Sequence, residues 1–391
     1  MTIEIRYKPF IETNKIKAFS ILIKQAADML KRAIHSESYV LISHHADCDG
    51  YSGGLVIERA LNSLSKSHRR LVWRSSCSRP VYALNEALSQ LRLLNNRNSG
   101  REAVLVVVDN GSSEDDLLAL KLMRIFGLKV IVVDHHPASV KDNNLLIAEI
   151  TDVFINSHYT IGDSNITAGM LCVELAHAIN PLLQGFVHLA ALSGIADKST
   201  GVEFNSYLKL AEQNGYDREQ LTKLYLAFDY LISARPEAEN VVHELVFGNR
   251  QLKLVNLLYP KANAMIQLRL KAMKRVAKLS KTQQGIIALV ELGKLFEGYS
   301  YPPPGRSVGL FYKELTTKHN NVLVLGVGDT QLIMRGKLKQ SVIVNELLSR
   351  LKLLLPEVEL SGGGHEVAGT ICFLPGDKDL VIREIKRILN I

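Results

Sequence analysis

The sequence predicts an α/β protein built on a parallel sheet, followed by helices and a second α/β domain. Residues 104–108 and 130–133 are uninterrupted apolar segments rich in β-branched residues, which is typical of strands buried on both faces. A segment of helical length separates them and predicts a βαβ unit, whose right-handed crossover makes the strands parallel. Both segments end abruptly in polar side chains, and open α/β sheets bind ligands at that end of their strands.

The first of these strand ends lies within residues 39–50, YVLISHHADCDG. A short strand over 40–42 leads into His44, His45, Asp47 and Asp49. The alternation of His45, Asp47 and Asp49 predicts an extended segment with these three side chains on one side. Carboxylate and imidazole groups suit a Mn²⁺ or Mg²⁺ half-site. The alternative is a polar turn in which an aspartate caps the next helix.

The same pattern recurs at three other places in the chain. The strand over 104–108 ends in Asp109, and the strand over 130–133 ends in Asp134, His135 and His136. An apolar helix over 186–200 ends at Asp197. Each residue alone also fits a helix cap or a surface position, but the repetition favours a shared site at one sheet edge.

Composition sets broad limits on the class of protein. With 391 residues, two or three domains are expected, and the apolar fraction of 47% is that of a globular protein. No apolar segment approaches the roughly 20 residues that cross a membrane, and the N-terminus lacks a signal-peptide pattern, so we expect a cytoplasmic protein without a membrane partner. The four cysteines are scattered, which argues against a disulfide framework and a structural zinc site.

The positive charge is concentrated in one part of the chain. The formal net charge of +8 suits a polyanionic partner. Residues 252–282 contain basic side chains and no acidic ones, which is consistent with contacts to a phosphate backbone or with a solvated helix face. The basic residues are Lys253, Lys261, Arg269, Lys271, Lys274, Arg275, Lys278 and Lys281.

Three domains are expected: a metal-binding domain over 1–204, a helical connector over 205–284 and a C-terminal domain over 285–391. In the first, periodicity predicts helices over 13–34 and 165–180, the latter with an Asn/Thr cap, and a strand over 146–156. In the third, PPPGR over 302–306 predicts a rigid turn, and the Gly-Asp pair at 328–329 predicts a hairpin.

The C-terminal domain contains a glycine-rich segment, SGGGHEVAG, over 361–369. Its glycines, Gly362, Gly363 and Gly364, would expose backbone N–H groups that bind anions, and His365 would add a donor. Arg335 ends a predicted strand and could face the same phosphate. A flexible loop without a ligand is the alternative.

Together these segments resemble the DHH phosphoesterase superfamily. The resemblance lies in five motifs in order: HHADCDG (44–50), VVDNG (107–111), VVDHHP (132–137), GIADKS (194–199) and SGGGHEVAG (361–369). The last is similar to the motif of the DHH-associated C-terminal domain. The resemblance implies an N-terminal parallel-sheet DHH domain, a helical connector and a smaller C-terminal α/β domain, with the active site in the cleft between the two α/β domains.

The resemblance also implies residue roles. The metal ligands would be His45, Asp47, Asp49, Asp109, His135 and Asp197, with Asp109 bridging two Mn²⁺ ions, for which Mg²⁺ is an alternative. Asp134 would support His135, and His136 would face the scissile phosphate. Separately from the resemblance, we hypothesise that Lys198 steadies the phosphate oxygens; the alternative is a surface lysine without this role. Arg335, Gly362, Gly363, Gly364 and His365 would clamp the substrate. With no OB-like domain after 391, we expect the chain to differ from a full bacterial RecJ.

The spacing of the first motif selects a branch of the superfamily. Small-molecule branches place the first histidine four residues before the first aspartate, a position that is Ser43 here, whereas His45 lies two residues before Asp47. This spacing resembles the RecJ-like nuclease branch and predicts an exonuclease of single-stranded DNA or RNA. The alternatives are an oligoribonuclease or nucleotide-bisphosphate phosphatase, a cyclic-dinucleotide phosphodiesterase, and a non-catalytic replication or repair partner. The sequence leaves polarity, DNA or RNA preference and oligomeric state open, a dimer being one option.

Overall fold

The computed structural model divides the chain into two compact units. It describes residues 7–64, 71–78, 81–96, 102–138, 140–141, 144–234, 239–296, 301–340, 344–365 and 367–391. Unit 1 comprises Met1–Ile232 and Glu239–Val255, and unit 2 comprises Ser233–Ala238 and Asn256–Ile391. The predicted three-part division of the chain stays a prediction. None of the described helices has the length and apolar composition needed to cross a membrane.

Unit 1 alternates strands and helices along most of its length. Its strands are β1 (Tyr39–His45), β2 (Val72–Cys77), β3 (Ala103–Val108), β4 (Lys129–Asp134), β5 (Val140–Lys141), β6 (Asn144–Leu145) and β7 (Val153–Asn156). Its helices are α1 (Asn14–Ala18), α2 (Ser20–His35), α3 (Cys48–Leu64), α4 (Leu84–Asn96), α5 (Leu117–Ile125), α6 (Leu146–Ile150), α7 (Ser157–Ile161), α8 (Ala168–Ile179), α9 (His188–Ala196), α10 (Val202–Gln213), α11 (Arg218–Ala234) and α12 (Glu239–Phe247). The long helix α13 (Gln251–Val276) begins in unit 1 and continues in unit 2.

The main sheet of unit 1 is parallel, as predicted. Its strand order is β2-β1-β3-β4-β7, and every neighbouring pair runs parallel. All six residues of β3 are buried, which explains the absence of polar alternation in this segment. Because parallel strands end at the same sheet edge, the residues after β1, β3, β4 and β7 are brought together.

Helices α3, α8 and α9 pack against one another beside this sheet. Helix α8 begins after Thr167, whose hydroxyl accepts a hydrogen bond from the Met170 N–H at 3.3 Å, which confirms the predicted threonine cap. Glycines allow these helices to approach closely. A Cβ atom on Gly169 would lie 2.7 Å from the Asp49 carboxylate and from Ser193, and one on Gly194 would lie 2.5 Å from Phe204.

Unit 2 is a second α/β structure with a mixed sheet. Its strands are β8 (Lys278–Thr282), β9 (Gly285–Glu291), β10 (Val322–Val327), β11 (Gln331–Lys337), β12 (Ser361–His365) and β13 (Ala368–Cys372), in the order β12-β13-β11-β10-β9-β8. Only β9 and β10 pair in parallel among the described strands of this sheet. Its helices after α13 are α14 (Pro304–Thr316), α15 (Val344–Leu354) and α16 (Lys378–Leu389). Alternate residues of β10 contribute to two separate apolar clusters, one shared with α15 and α16 and the other with α14.

Four local predictions differ from the structure. The helix predicted over 13–34 is divided at Phe19 into α1 and α2. The strand predicted over 146–156 is a short helix, α6, followed by β7. The proline-rich segment 302–306 does not remain a turn, because Pro304 is the first residue of α14, where its missing N–H costs no hydrogen bond. The glycine triplet 362–364 lies in strand β12 and not in a loop.

Candidate metal centre

The polar residues singled out from the sequence of unit 1 meet at one edge of its sheet. Strand β1 ends at His45, β4 ends at Asp134, and Asp109 directly follows β3. Val108 pairs with Val133, so Asp109 and Asp134 are neighbours across the β3–β4 pair. The sheet edge therefore brings together side chains that are up to 89 positions apart in sequence, from His45 to Asp134.

Asp109 lies at the middle of this group. Its backbone has a φ of +57°, a left-handed conformation that aspartate and asparagine adopt more readily than most residues, and its side chain is buried. One carboxylate oxygen, Oδ2, lies 3.2 Å from Nδ1 of His45, and the other, Oδ1, lies 3.4 Å from Nε2 of His135. The buried Oδ1 forms no hydrogen bond with any residue that the structure describes.

Asp109 belongs to one of two neighbouring groups of three residues and faces the other. His45, Asp47 and Asp109 form one group, and Asp49, His135 and Asp197 form the other; in each, the ligand atoms lie within 4.8 Å of one another. A third, overlapping group consists of Asp109, Asp134, His135 and His136. The structure thus brings together all six residues that the resemblance to the DHH superfamily implied as metal ligands.

The histidine of the second group is oriented by a backbone carbonyl. Nδ1 of His135 lies 2.9 Å from the carbonyl oxygen of Ser164, which can only accept a hydrogen bond, so Nδ1 carries the proton. The opposite nitrogen, Nε2, faces Asp197 at 3.2 Å and Asp49 at 3.7 Å. An imidazole with this orientation presents the lone pair of Nε2 to a cation, which is the usual arrangement of a metal-binding histidine.

Asp49 occupies a different place from the one that the sequence predicted. It does not continue an extended segment from His45, because α3 begins at Cys48 and includes it. Its carboxylate accepts hydrogen bonds from the N–H groups of Ala168 at 3.1 Å and Gly169 at 2.7 Å, at the start of α8, and from the Ser193 hydroxyl. The helix terminus and the hydroxyl fix the carboxylate while Oδ2 still faces His135.

The charges of the site are strongly coupled. Burial and the carboxylates of Asp109 and Asp197 raise the pKa of Asp49 well above its ordinary value. Burial and the carboxylates of Asp47 and Asp109 also raise the pKa of Asp197 to about 7, against the opposing effect of His135. The buried carboxylates of Asp49 and Asp109 and the partly exposed ones of Asp47 and Asp197 thus repel one another, a repulsion that bound divalent cations would offset.

The same carboxylates raise the pKa values of the histidines in the site. Burial alone would lower the pKa of His45, but the carboxylates of Asp47 and Asp109 raise it well above its ordinary value. The pKa of His135 is likewise raised by Asp109, Asp197 and Asp49 against the effect of burial. Without a metal the protons on these rings supply positive charge that an ion would otherwise supply. The donor set of carboxylates and imidazoles therefore fits divalent ions such as Mn²⁺.

His136 and Asp134 form a pair beside the metal-binding groups. Nδ1 of His136 lies 2.8 Å from Oδ1 of Asp134, and the N–H of His135 donates to the same oxygen at 2.7 Å. Burial would lower the pKa of His136, but Asp134 raises it to about 9, which favours the positively charged ring when no metal is bound. Its side chain is 35% exposed, against 8% for His135, so His136 is the more accessible of the two.

Sequence reasoning missed three polar residues that hold this site, namely Asn156, Ser112 and Ser193. The Asn156 amide donates to the Ser112 hydroxyl at 2.8 Å and to the His136 carbonyl at 2.9 Å. The Ser193 hydroxyl donates to Asp49. Asn156 ends β7, so its position at the carboxyl end of a strand was a usable signal. Ser193 lies inside an apolar helix, where no sequence pattern indicated its role.

The remaining predicted residues lie outside these groups. Lys198 follows α9 in a left-handed conformation, with a φ of +57° and an exposed side chain. In unit 2, Arg335 lies on β11, where burial lowers its pKa and Nη1 donates to the carbonyls of Met334 at 2.7 Å and Gly369 at 3.2 Å.

The glycine-rich segment of unit 2 forms an edge hairpin. Residues Gly362, Gly363 and Gly364 pair with β13, and β12 is the terminal strand of its sheet. The backbone of Gly364 exchanges hydrogen bonds with the Asn345 amide at 3.1 and 3.2 Å. The side chain of His365 lies outside the described part of the chain. Substrate binding by this segment stays a prediction.

Comparisons with known proteins agree on the fold. No family model matches the chain. An uncharacterized protein of Methanocaldococcus jannaschii is 28% identical over 98% of this chain and 56% of its own length, so the chain spans about half of that curated relative. Among solved structures, the DHH domain of a member of a ribosomal protein family superposes with a TM-score of 0.91 at 27% identity, covering 98% of this chain and 93% of that one.

A second solved structure is RecJ from Thermus thermophilus in complex with Mn²⁺. It superposes with a TM-score of 0.67 at 17% identity, covering 94% of this chain and 54% of that one. The strand order and these likenesses define the fold: the chain has a RecJ-like fold and is similar along nearly its whole length to a solved DHH domain. The chain thus combines this fold with carboxylate–imidazole groups that could hold divalent metal ions.

Proposed function

We propose that this protein is a two-metal phosphodiesterase that shortens single-stranded nucleic acid, as a RecJ-like exonuclease. The observation that carries the proposal is the position of Asp109, whose two carboxylate oxygens face histidines of two different metal-binding groups. A carboxylate in this position suits a ligand shared by two ions. Solved RecJ structures with Mn²⁺ and with Mg²⁺ have the same fold, which supports these two ions as candidates.

The residues divide naturally between two ions. His45, Asp47 and Asp109 would hold one ion, and Asp49, His135 and Asp197 would hold the other with Asp109 shared between them. Their four carboxylates would balance the charge of two divalent cations. Paired divalent ions supply acidified water as a nucleophile and stabilise negative charge on a phosphate.

His136 would bind the substrate phosphate. It is accessible and is fixed through Nδ1 by Asp134, whose carboxylate raises the pKa of the ring and so favours its positive charge. Its Nε2–H can donate to a non-bridging phosphate oxygen, where negative charge grows during hydrolysis. Asn156 maintains this orientation by donating to the His136 carbonyl. Exposed Lys198 would add a second positive charge.

Unit 2 would bind the nucleic acid strand. Arg335 and the glycine-rich segment 362–365 would hold the terminal nucleotide, which favours cutting from an end. The solvent side of α13 would contact the phosphate backbone through exposed Lys261, Lys271 and Arg275. Arg269 would take no part in this contact, because its buried guanidinium lies 3.7 Å from the centre of the Phe296 ring.

The test is hydrolysis of end-labelled single strands of 3 and 30 nucleotides, as DNA and as RNA, with Mn²⁺ and with EDTA. Stepwise, Mn²⁺-dependent shortening of the 30-mer is the expected result, and the label position gives the polarity. Cleavage of the 3-mer alone would contradict the exonuclease and indicate a phosphodiesterase of short oligonucleotides. Failure to cleave either strand and to bind Mn²⁺ would contradict an enzymatic function and leave a non-catalytic role.

A further inference from the structure

A second histidine lies directly before the metal-binding His45 and points the other way. Successive side chains of a strand project to opposite faces, so His44 of β1 projects away from the carboxylates and toward α3. Its side chain is completely buried. It fits there because residue 54 is glycine: a Cβ atom on Gly54 would lie 2.5 Å from the imidazole.

The hydrogen bonds of His44 determine which nitrogen carries the proton. Nδ1 lies 2.7 Å from the carbonyl oxygen of His45, and this oxygen can only accept, so Nδ1 is the donor. Nε2 lies 2.8 Å from Nη1 of Arg74, which can only donate, so Nε2 is the acceptor. The ring is therefore neutral. Burial and the positive charge of Arg74 agree with this, because they lower the pKa of His44 to about 3.

Arg74 and Tyr51 hold the imidazole in place. The Nε atom of Arg74 donates to the Glu58 carboxylate at 2.8 Å, and the Arg74 side chain is 5% exposed. The Tyr51 ring meets the His44 ring edge-on, with 4.4 Å between their centres, and it also lies beneath the Arg74 guanidinium. The orientation of His44 is thus fixed by contacts that belong to unit 1 and lie behind the metal-binding residues.

The Nδ1–H of His44 donates to the carbonyl of His45, where the short connection that carries Asp47 begins. The next residues, Ala46 and Asp47, connect β1 to α3, and Asp47 accepts a hydrogen bond from the Gly50 N–H at 3.0 Å. Helix α3 packs tightly on the same carbonyl, since a Cβ atom on Gly50 would lie 2.3 Å from the His45 oxygen. The direction of this carbonyl therefore fixes the peptide that joins His45 to Ala46, the residue before Asp47.

We propose that His44 is a positioning residue that orients His45 and Asp47 for one of the two ions, through its hydrogen bond to the His45 carbonyl. The proposal rests on the metal-binding function proposed above. It predicts an effect on the His45–Asp47–Asp109 group and none on the Asp49–His135–Asp197 group. A residue needed only for folding would affect both.

Two substitutions separate the two hydrogen bonds of the ring. In His44→Asn, the amide nitrogen can take the place of Nδ1 and keep the donor to the His45 carbonyl. In His44→Gln, the longer side chain places its amide near the position of Nε2 and loses that donor. His35→Gln, at the exposed end of α2, is a matched control. Mn²⁺ binding is counted from the paramagnetic resonance signal of the free ion, which requires no turnover.

We expect the parent protein, His44→Asn and His35→Gln to bind two Mn²⁺ ions with affinities that agree within about threefold, and His44→Gln to bind one of the two about 10–100-fold more weakly. Parent-like binding by His44→Gln would overturn the positioning role. Equal weakening of Mn²⁺ binding in His44→Asn would also overturn it. So would loss of both ions by His44→Gln together with loss of its near-ultraviolet circular dichroism signal, which reports tertiary packing. Absence of Mn²⁺ binding in the parent protein would overturn the proposed function and this inference with it.

Discussion

Replacing Asp109 by asparagine tests whether one carboxylate serves both metal-binding groups. Asparagine has the same shape and also tolerates the left-handed φ of +57° at this position. The substitution therefore removes one negative charge and one metal-binding oxygen with little change in packing. Asp115→Asn is a matched control, because Asp115 is an exposed acid a few residues further along the chain.

The expected size of the effect follows from the geometry. The two carboxylate oxygens of Asp109 lie 3.2 and 3.4 Å from His45 and His135, the histidines of the two groups. One pair of unit charges about 4 Å apart is worth about 4 kcal/mol at an effective dielectric constant of about 20. At about 1.4 kcal/mol for each factor of ten, losing this interaction lowers the rate by about 10³-fold or more.

Two assays on the same samples check this prediction. Steady-state hydrolysis of the labelled strands gives the rate, and thermal unfolding with and without Mn²⁺ reports binding. An ion present at about 100 times its dissociation constant stabilises the folded state by about 2.7 kcal/mol, and Asp109→Asn should lack this gain. Parent-like stabilisation by Mn²⁺, or a rate within about tenfold of the parent, would refute the shared carboxylate. The unfolding temperature in EDTA shows whether the variant is folded.

Three further predictions concern the surroundings of the metal centre. The EDTA-treated protein should lose stability from pH 6 to pH 8. The pKa values of Asp197, about 7, and His136, about 9, lie above their ordinary values, and the folded state loses these stabilising protons as the pH rises. A flat profile of unfolding free energy against pH in denaturant titrations would contradict this. Asn156→Ala should lower the free energy of unfolding by about 1–3 kcal/mol and lower kcat while the Mn²⁺ affinity stays unchanged. Weakened Mn²⁺ binding would instead assign Asn156 to the metal site itself. Gly169→Ala, whose Cβ would lie 2.7 Å from the Asp49 carboxylate, should lower the free energy of unfolding by about 1–3 kcal/mol and weaken the binding of one Mn²⁺ ion. Gly376→Ala is the control, because its Cβ meets open space, and it should change neither quantity. Equal stabilities of the two variants would contradict the contact.

Much of the fold and most of the candidate site followed from short-range patterns. The all-apolar segments of β3 and β4 indicate strands buried on both faces, and such strands are parallel when helices connect them. Parallel strands end at one edge, so Asp109, Asp134 and His135 had to lie close together. The predicted α/β class and the parallel sheet are confirmed. That the two units form one active site between them stays a prediction.

Local patterns failed where a contact from elsewhere in the chain decided the outcome. The alternation of His45, Asp47 and Asp49 suggested one extended segment, but Asp49 belongs to α3 and bonds the start of α8, 120 positions away at Gly169. The glycine triplet 362–364 lacks side chains that favour a strand, yet it pairs with β13. Both are cases in which tertiary hydrogen bonding outweighs local preference.

Residue type and strand direction are local properties, and they were enough to predict that carboxylates and imidazoles follow the carboxyl ends of several strands of one sheet. The division of these residues into two groups, with Asp109 between His45 and His135, depends instead on how distant segments pack. The proton positions on His44 and His135 depend on the same packing, because the carbonyls of His45 and Ser164 set them. Interatomic distances that are defined to a few tenths of an ångström, and the direction of a carbonyl, arise only when those segments pack together. No sequence pattern contains them.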